Sequence, residues 1–250
     1  PGGPPKAPYD VTGYTLAYQM GVKFDRVLDG FDGPFQRVPD LIAVKPGAVK
    51  GSGKAGWLID HAPNNAFTLT NRLLKAGAQV SWLKDGAKAG KQSFAAGAIW
   101  VPYSPAAAGV IDAGVKELGI DAWATGAKPS GKAIALKPIR VGLVDVYGGS
   151  MPSGWNRWMF EKFEAPFQVV YPQRLDAGDL AKDFDVLVFA DGVVPATPGG
   201  PFRAGRGYPQ PKAEEIPAEY HSWLGTVTDE TTIPQLKAFA KNGGTVIAIG

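Results

Sequence analysis

Short apolar, β-branched runs alternate with amphipathic stretches along most of this chain, and that alternation constrains its fold more than any other feature. "WLIDH" at Trp57–His61 reads as a strand, Asn64–Ala78 as a helix, and "QVSWL" at Gln79–Leu83 as a second strand. Phe67, Leu69, Leu73 and Leu74 give the helix one apolar face at near-helical spacing. Asn64 or Asn65 is placed to cap it and Gly77 to stop it. "AIWVP" (Ala98–Pro102) is a further strand, followed by a helix across Ala106–Leu118. After an exposed loop at Thr125–Ala133 the rhythm restarts with strand Arg140–Tyr147, helix Ser153–Phe163, strand Gln168–Pro172, helix Asp176–Phe184 and strand Asp185–Asp191. Helix Glu230–Gly244 and strand Thr245–Ile249 close the series.

This repetition predicts an α/β fold with mostly parallel sheets and crossover helices, in two sub-lobes over about 57–126 and 139–250. The strands expected at 57–60, 79–83, 98–102, 140–145, 185–190 and 245–249 carry few charges, which suits burial on both faces. Residues 1–56 read differently. "PGGPPKAPYD" is a Pro/Gly linker, and the stretch from Val11 to Gly56 is turn-rich, irregular or β-rich. Gly192–Tyr220 carries so much Pro and Gly that an excursion without regular structure is expected there, a contact arm, a mobile flap or a disordered insertion. Both ends read as cut from a longer polypeptide.

The 26 basic and 23 acidic residues leave a net charge of only +3, and the basic ones are scattered. A nucleic-acid surface needs a dense basic stripe, so no nucleic-acid partner is expected. No run approaches the roughly 18 apolar residues of a membrane helix. The absence of cysteine removes thiol catalysis, disulfides and cysteine-bound zinc. Two isolated histidines, His61 and His221, fall short of a closed zinc shell, so neither a metal nor another cofactor is expected in this segment.

The most informative loop is "DVYGGSMPSGWNRW", Asp145–Trp158, which follows a strand and opens a helix. Backbone N–H groups at such a place can face an anion, and sites in open parallel sheets gather at the carboxyl ends of strands. The candidate ligand-binding residues are therefore Tyr147, Gly148, Gly149, Ser150, Ser153, Arg157 and Asp191, with His61 at the end of another strand. Gly148 and Gly149 permit close approach, Ser153 can cap the helix, and Arg157 can bond a carboxylate or phosphate. The competing reading is a tight turn with an ordinary cap, Arg157 lying along Trp158 or an acidic neighbour. An Arg157→Ala change is expected to weaken anion binding at a nearly unchanged melting temperature. Asp60, Asp145 and Asp191 all end strands, as helix caps or as ligand carboxylates. Trp155 and Trp158, three apart, read as a packing or interface stripe rather than a sugar platform. No residue is assigned a catalytic role.

"YDVTGYTLAYQMGV", "NRLLKAGAQV", "VGLVDVYGGSMPSGWNRWMFEKFEAPFQVVYPQRLDAGDL" and "FDVLVFADG" together resemble the region that follows the catalytic domain in bacterial M14-type zinc carboxypeptidase-like proteins. The resemblance runs from about Tyr9 to Gly250 and is most specific over Val141–Leu180. It implies a flavodoxin-like fold, similar to class I glutamine amidotransferases, and an exported parent, periplasmic or secreted, whose upstream peptidase domain holds zinc. That domain, and a second copy of the chain, are the partners it implies. The family's His-x-x-Glu zinc motif has no counterpart, since Asn64 stands three residues after His61. The amidotransferase cysteine has none either, its turn beginning only at Gly250. Three roles stay open: a non-catalytic accessory domain, an amidotransferase-like hydrolase whose nucleophile lies beyond Gly250, and a small-molecule binding module.

Overall fold

The computed structural model describes residues 16–20, 22–43, 45–194 and 210–249. The Pro/Gly start, most of the 192–220 excursion and Gly250 lie outside the described residues. The chain divides into two compact units, Pro1–Ala43 and Val44–Gly250. The described part of the first holds one helical turn, α1 (Leu16–Gln19), and otherwise irregular backbone. Its aromatic packing is local, with Tyr18 edge-on to Phe24 at 4.9 Å and Phe31 to Phe35 at 5.4 Å.

The second unit is mixed α/β. It opens with β1 (Val49–Gly51), β2 (Gly56–Ile59), α2 (Asn65–Lys75), β3 (Ser81–Leu83), a small hairpin of β4 (Ala87–Ala89) and β5 (Gln92–Phe94), β6 (Ile99–Pro102), α3 (Pro105–Leu118), β7 (Ala122–Thr125) and β8 (Ala133–Ala135). Six of these strands form one sheet in the order β1-β7-β2-β6-β3-β8. Only β1 and β7 run parallel; every other pair is antiparallel. The parallel pairing expected here fails for two reasons. α3 is a true crossover that leaves β6 and β7 pointing the same way, but β2 inserts between them in the opposite sense. β3 reaches β6 through the β4–β5 hairpin, and an antiparallel pair needs no crossover helix.

Alternation along β2 explains how this sheet is buried on both faces. Trp57 and Ile59 join Leu69 and Leu73 of α2 and Ile111 and Val115 of α3 in one cluster. Leu58 faces the other way, with Trp100, Leu83 and the hairpin residues Ala89 and Phe94. Fully buried side chains such as Leu58, Leu69 and Ile111 each contribute about 1.5–3 kcal/mol by leaving water.

The chain continues through β9 (Val141–Val144), α4 (Met151–Lys162), β10 (Gln168–Val170), α5 (Pro172–Asp176), β11 (Val186–Phe189), α6 (Thr232–Lys241) and β12 (Thr245–Ala248). These four strands form a second sheet, parallel throughout, in the order β10-β9-β11-β12. Val144, Val170, Leu175, Phe184, Leu187, Phe189 and Phe239 make its core. The helix expected over 176–184 is interrupted. Gly178 and Asp179 take φ of 73° and 51°, so α5 stops early and only a 3₁₀ turn, Leu180–Lys182, follows. β12 is an edge strand and not an interior one. Among the described residues no strand pairs with its outer side, and Val246 and Ile247 are exposed. The end of the long excursion is more regular than its composition predicts, with 3₁₀ turns at Ala213–Glu215 and Ala218–Trp223. No helix among the described residues is long and apolar enough to cross a membrane.

Candidate functional site

β9 delivers Asp145 to the carboxyl end of the parallel sheet, where its carboxylate is only 2% exposed. The burial is compensated by three donors. The Val146 N–H donates to Oδ1 at 2.9 Å, while the Ser153 hydroxyl at 2.7 Å and Arg157 Nη2 at 2.5 Å donate to Oδ2. A buried carboxylate without such partners would be prohibitively costly. Asp145 is therefore the point on which the loop and the first two turns of α4 are assembled.

The turn itself depends on Gly148 and Gly149, at φ 89° and 67°, with the Gly149 N–H donating to the Val146 carbonyl at 2.9 Å. Few side chains tolerate that region. Ser150, in extended conformation and followed by Pro152 in the first helical turn, is the N-cap; its hydroxyl accepts from the Ser153 N–H at 3.1 Å. The capping role expected of Ser153 falls three residues earlier. Ser153 is completely buried, and its own hydroxyl is turned to Asp145.

Asp145, Gly148, Gly149, Ser150 and Arg157, together with Val146, Tyr147, Gly154, Tyr171, Tyr220 and Trp223, line a cleft of about 460 Å³. Tyr171 follows β10 as Tyr147 follows β9. Its ring stacks on Trp223 at 4.7 Å and 10°. Tyr220 stands edge-on to Trp223 at 4.8 Å and to Tyr147 at 6.4 Å. The 3₁₀ turn carrying Tyr220 and Trp223 is held down by Gln173, whose Nε2 donates to the carbonyls of His221 at 2.7 Å and Leu224 at 3.0 Å. Burial works against the Arg157 charge, but its bonds to Asp145 and Tyr171 outweigh that and keep its pKa above the ordinary guanidinium value. Burial likewise pushes the Tyr171 hydroxyl above 10.0, with Arg157 pulling it back.

The candidate residues Tyr147, Gly148, Gly149, Ser150 and Arg157 thus share one wall, with Ser153 buried behind it. Asp191 contributes its carbonyl, 3.5 Å from the Ser150 hydroxyl, while its side chain is exposed and lines no part of the cleft. His61 is not brought here. It ends β2 on the other sheet, its ring against Gly97 and its Nδ1 3.7 Å from Asp60, too long for a hydrogen bond. His221 Nε2 lies 3.2 Å from the Ile216 carbonyl, a bond within its own segment. The sequence does not mark Tyr171, Tyr220 or Trp223 as site residues. Tyr171 is accessible through the strand-end rule that finds Tyr147, whereas the contact-arm reading of 192–220 reaches Tyr220 without saying which loop it covers.

Chemically the cleft offers a guanidinium, tyrosine hydroxyls, backbone N–H groups and aromatic rings. Ser153, fully buried and donating to Asp145, is not presented to a substrate. Among the described residues no three His, Cys, Asp or Glu side chains converge as a metal shell would require. These are groups for holding a molecule. No family model matches the chain, and comparison with curated proteins and with solved structures returns no match.

Proposed function

We propose that this chain is a non-catalytic accessory domain of an exported M14-type zinc carboxypeptidase-like protein, docked against the upstream, zinc-holding peptidase domain. The observation that carries this reading is an uncovered apolar stripe on α4. Met151, Trp155, Trp158 and Met159 are 77%, 64%, 54% and 39% exposed and recur at helical spacing. The two tryptophans pack edge-on at 6.0 Å. Four large apolar side chains in one stripe are characteristic of an interaction surface. Their spacing in the sequence fits packing or an interface, and since they are exposed among the described residues, the interface reading is favoured.

The β10-β9-β11-β12 order supports the finer fold assignment, flavodoxin-like and similar to class I glutamine amidotransferases, because such sheets reverse their strand order beside the first strand. On this reading the peptidase chemistry belongs to the parent, in the periplasm or outside the cell, and the Asp145 cleft is a ligand site rather than an active centre. Co-expression with the upstream peptidase domain tests it. The two should co-purify as a stable complex, and a Trp155→Glu, Trp158→Glu double variant should dissociate it without unfolding the chain. A complex indifferent to those charges, or no complex, refutes docking through α4.

A further inference from the structure

The cleft at the end of β9 shows what kind of molecule it suits. Of the ion pair at its base, Asp145 is 2% exposed and Arg157 37%, so the pair presents its positive member. Arg157 bonds Asp145 through Nη2 and also bonds Tyr171, which leaves further donors among the five N–H groups of a guanidinium. Around this cation the lining is aromatic: Tyr147, Tyr171, Tyr220 and Trp223, brought together from segments far apart in the chain.

One further residue has no structural explanation. Gly154 lies inside α4, its N–H bonded to the Ser150 carbonyl at 3.0 Å. Glycine inside a helix is less stable than alanine, and it is normally kept for close packing or a positive φ. Neither applies: a Cβ on Gly154 would meet nothing within 4 Å, and its φ is not positive. Gly154 does line the cleft. The missing side chain leaves room there, next to the cation and the rings.

We infer that the cleft binds a flat ring carrying an anionic group, a carboxylate or phosphate. The anion bonds Arg157 where Gly148 leaves the backbone open to close approach, and the ring lies against the Tyr171–Trp223–Tyr220 wall in the space Gly154 leaves open. The volume of about 460 Å³ suits a molecule of that size. This inference rests on the reading of the cleft as a ligand site and is independent of docking through α4.

Calorimetric titration of the full 250-residue chain with benzoate tests it, with acetate, inorganic phosphate and benzyl alcohol as probes lacking either the ring or the charge. Benzoate should bind saturably and at least about tenfold more tightly than any of the three. Gly154→Leu should abolish that binding at an equal or higher melting temperature. Gly154→Ala, which keeps the helix under any circumstances, should weaken it about threefold. Trp223→Ala should weaken it about tenfold. Acetate or phosphate binding as tightly as benzoate overturns the ring and leaves an anion site. Benzyl alcohol binding as tightly as benzoate overturns the anion. Benzoate affinity unchanged by the Gly154 variants overturns the inference as well. If none of the four binds at about 10 mM, both the inference and the ligand reading of the cleft fail.

Discussion

In the sequence Arg157 reads either as a cation open to a ligand, whose removal leaves stability nearly untouched, or as the partner of Trp158 or an acidic neighbour. Its bond to Asp145 gives it an acidic neighbour and makes its removal costly. In an Arg157→Ala variant the buried carboxylate keeps only Ser153 and the Val146 N–H. A loss of about 1–3 kcal/mol is expected, the range for a hydrogen bond to a charged group or a stranded buried partner. Chemical denaturation measures it, and an unchanged midpoint would mean that Asp145 does not need its cation. A second residue-level expectation concerns pH. Side-chain and backbone bonds from Arg140 lower the Asp185 pKa from 3.8 to about 2. A depressed folded-state pKa gives stability that is complete above the unfolded value and is lost as pH falls through the folded one. Asp185→Asn should therefore cost stability at pH 7, with the difference shrinking as pH falls from about 4 and gone below about pH 2, as followed by denaturation across that window.

At the scale of elements, β9 is legible as a buried strand, and its glycine shows why its neighbours sit so close. A Cβ on Gly142 would lie 2.7 Å from Leu187 of β11, 2.9 Å from Val170 of β10 and 3.1 Å from Phe184. All three are core residues, so they cannot simply swing away. Gly142→Ala is expected to cost about 1–3 kcal/mol by overpacking, against the gain alanine brings in an open strand. A stabilised variant in thermal melts would show that this core has slack. α4 illustrates the opposite case. Its periodicity marks an amphipathic helix, yet its apolar stripe is the exposed side and its one fully buried residue is Ser153.

Within the second unit, Arg72 and Asn71 tie the helices on the first sheet to the end of α4. Arg72 of α2 donates to Glu117 of α3 at 2.7 and 2.8 Å and to Glu164, just after α4, at 2.7 Å. Asn71 adds a bond to the Phe163 carbonyl at 2.8 Å. Exposed ion pairs contribute little singly, but this guanidinium holds two carboxylates that would otherwise repel each other. Arg72→Met should lower stability by about 1 kcal/mol in low salt and by less in high salt, as screening predicts. A loss that does not change between low and high salt would point to the methylene stem and not the charges.

The positions of β2, β3, β6 and β9 to β12, of α2, α3, α4 and α6, and of the turn at Gly148–Gly149 were legible in the sequence itself, because apolar periodicity and glycine act over a few residues. The direction of the strands was not. β2 inserts antiparallel between β6 and β7, a choice made by competition among distant edges for partners. The same holds for the cleft. The local sequence set Tyr147, Ser150 and Arg157 on one turn, whereas burial of Asp145 tied Arg157 to it, and Tyr220 and Trp223 arrived from a distant segment of the chain. Which polar groups face a ligand depends on which buried partner claims them first, and that is decided only when the chain has packed.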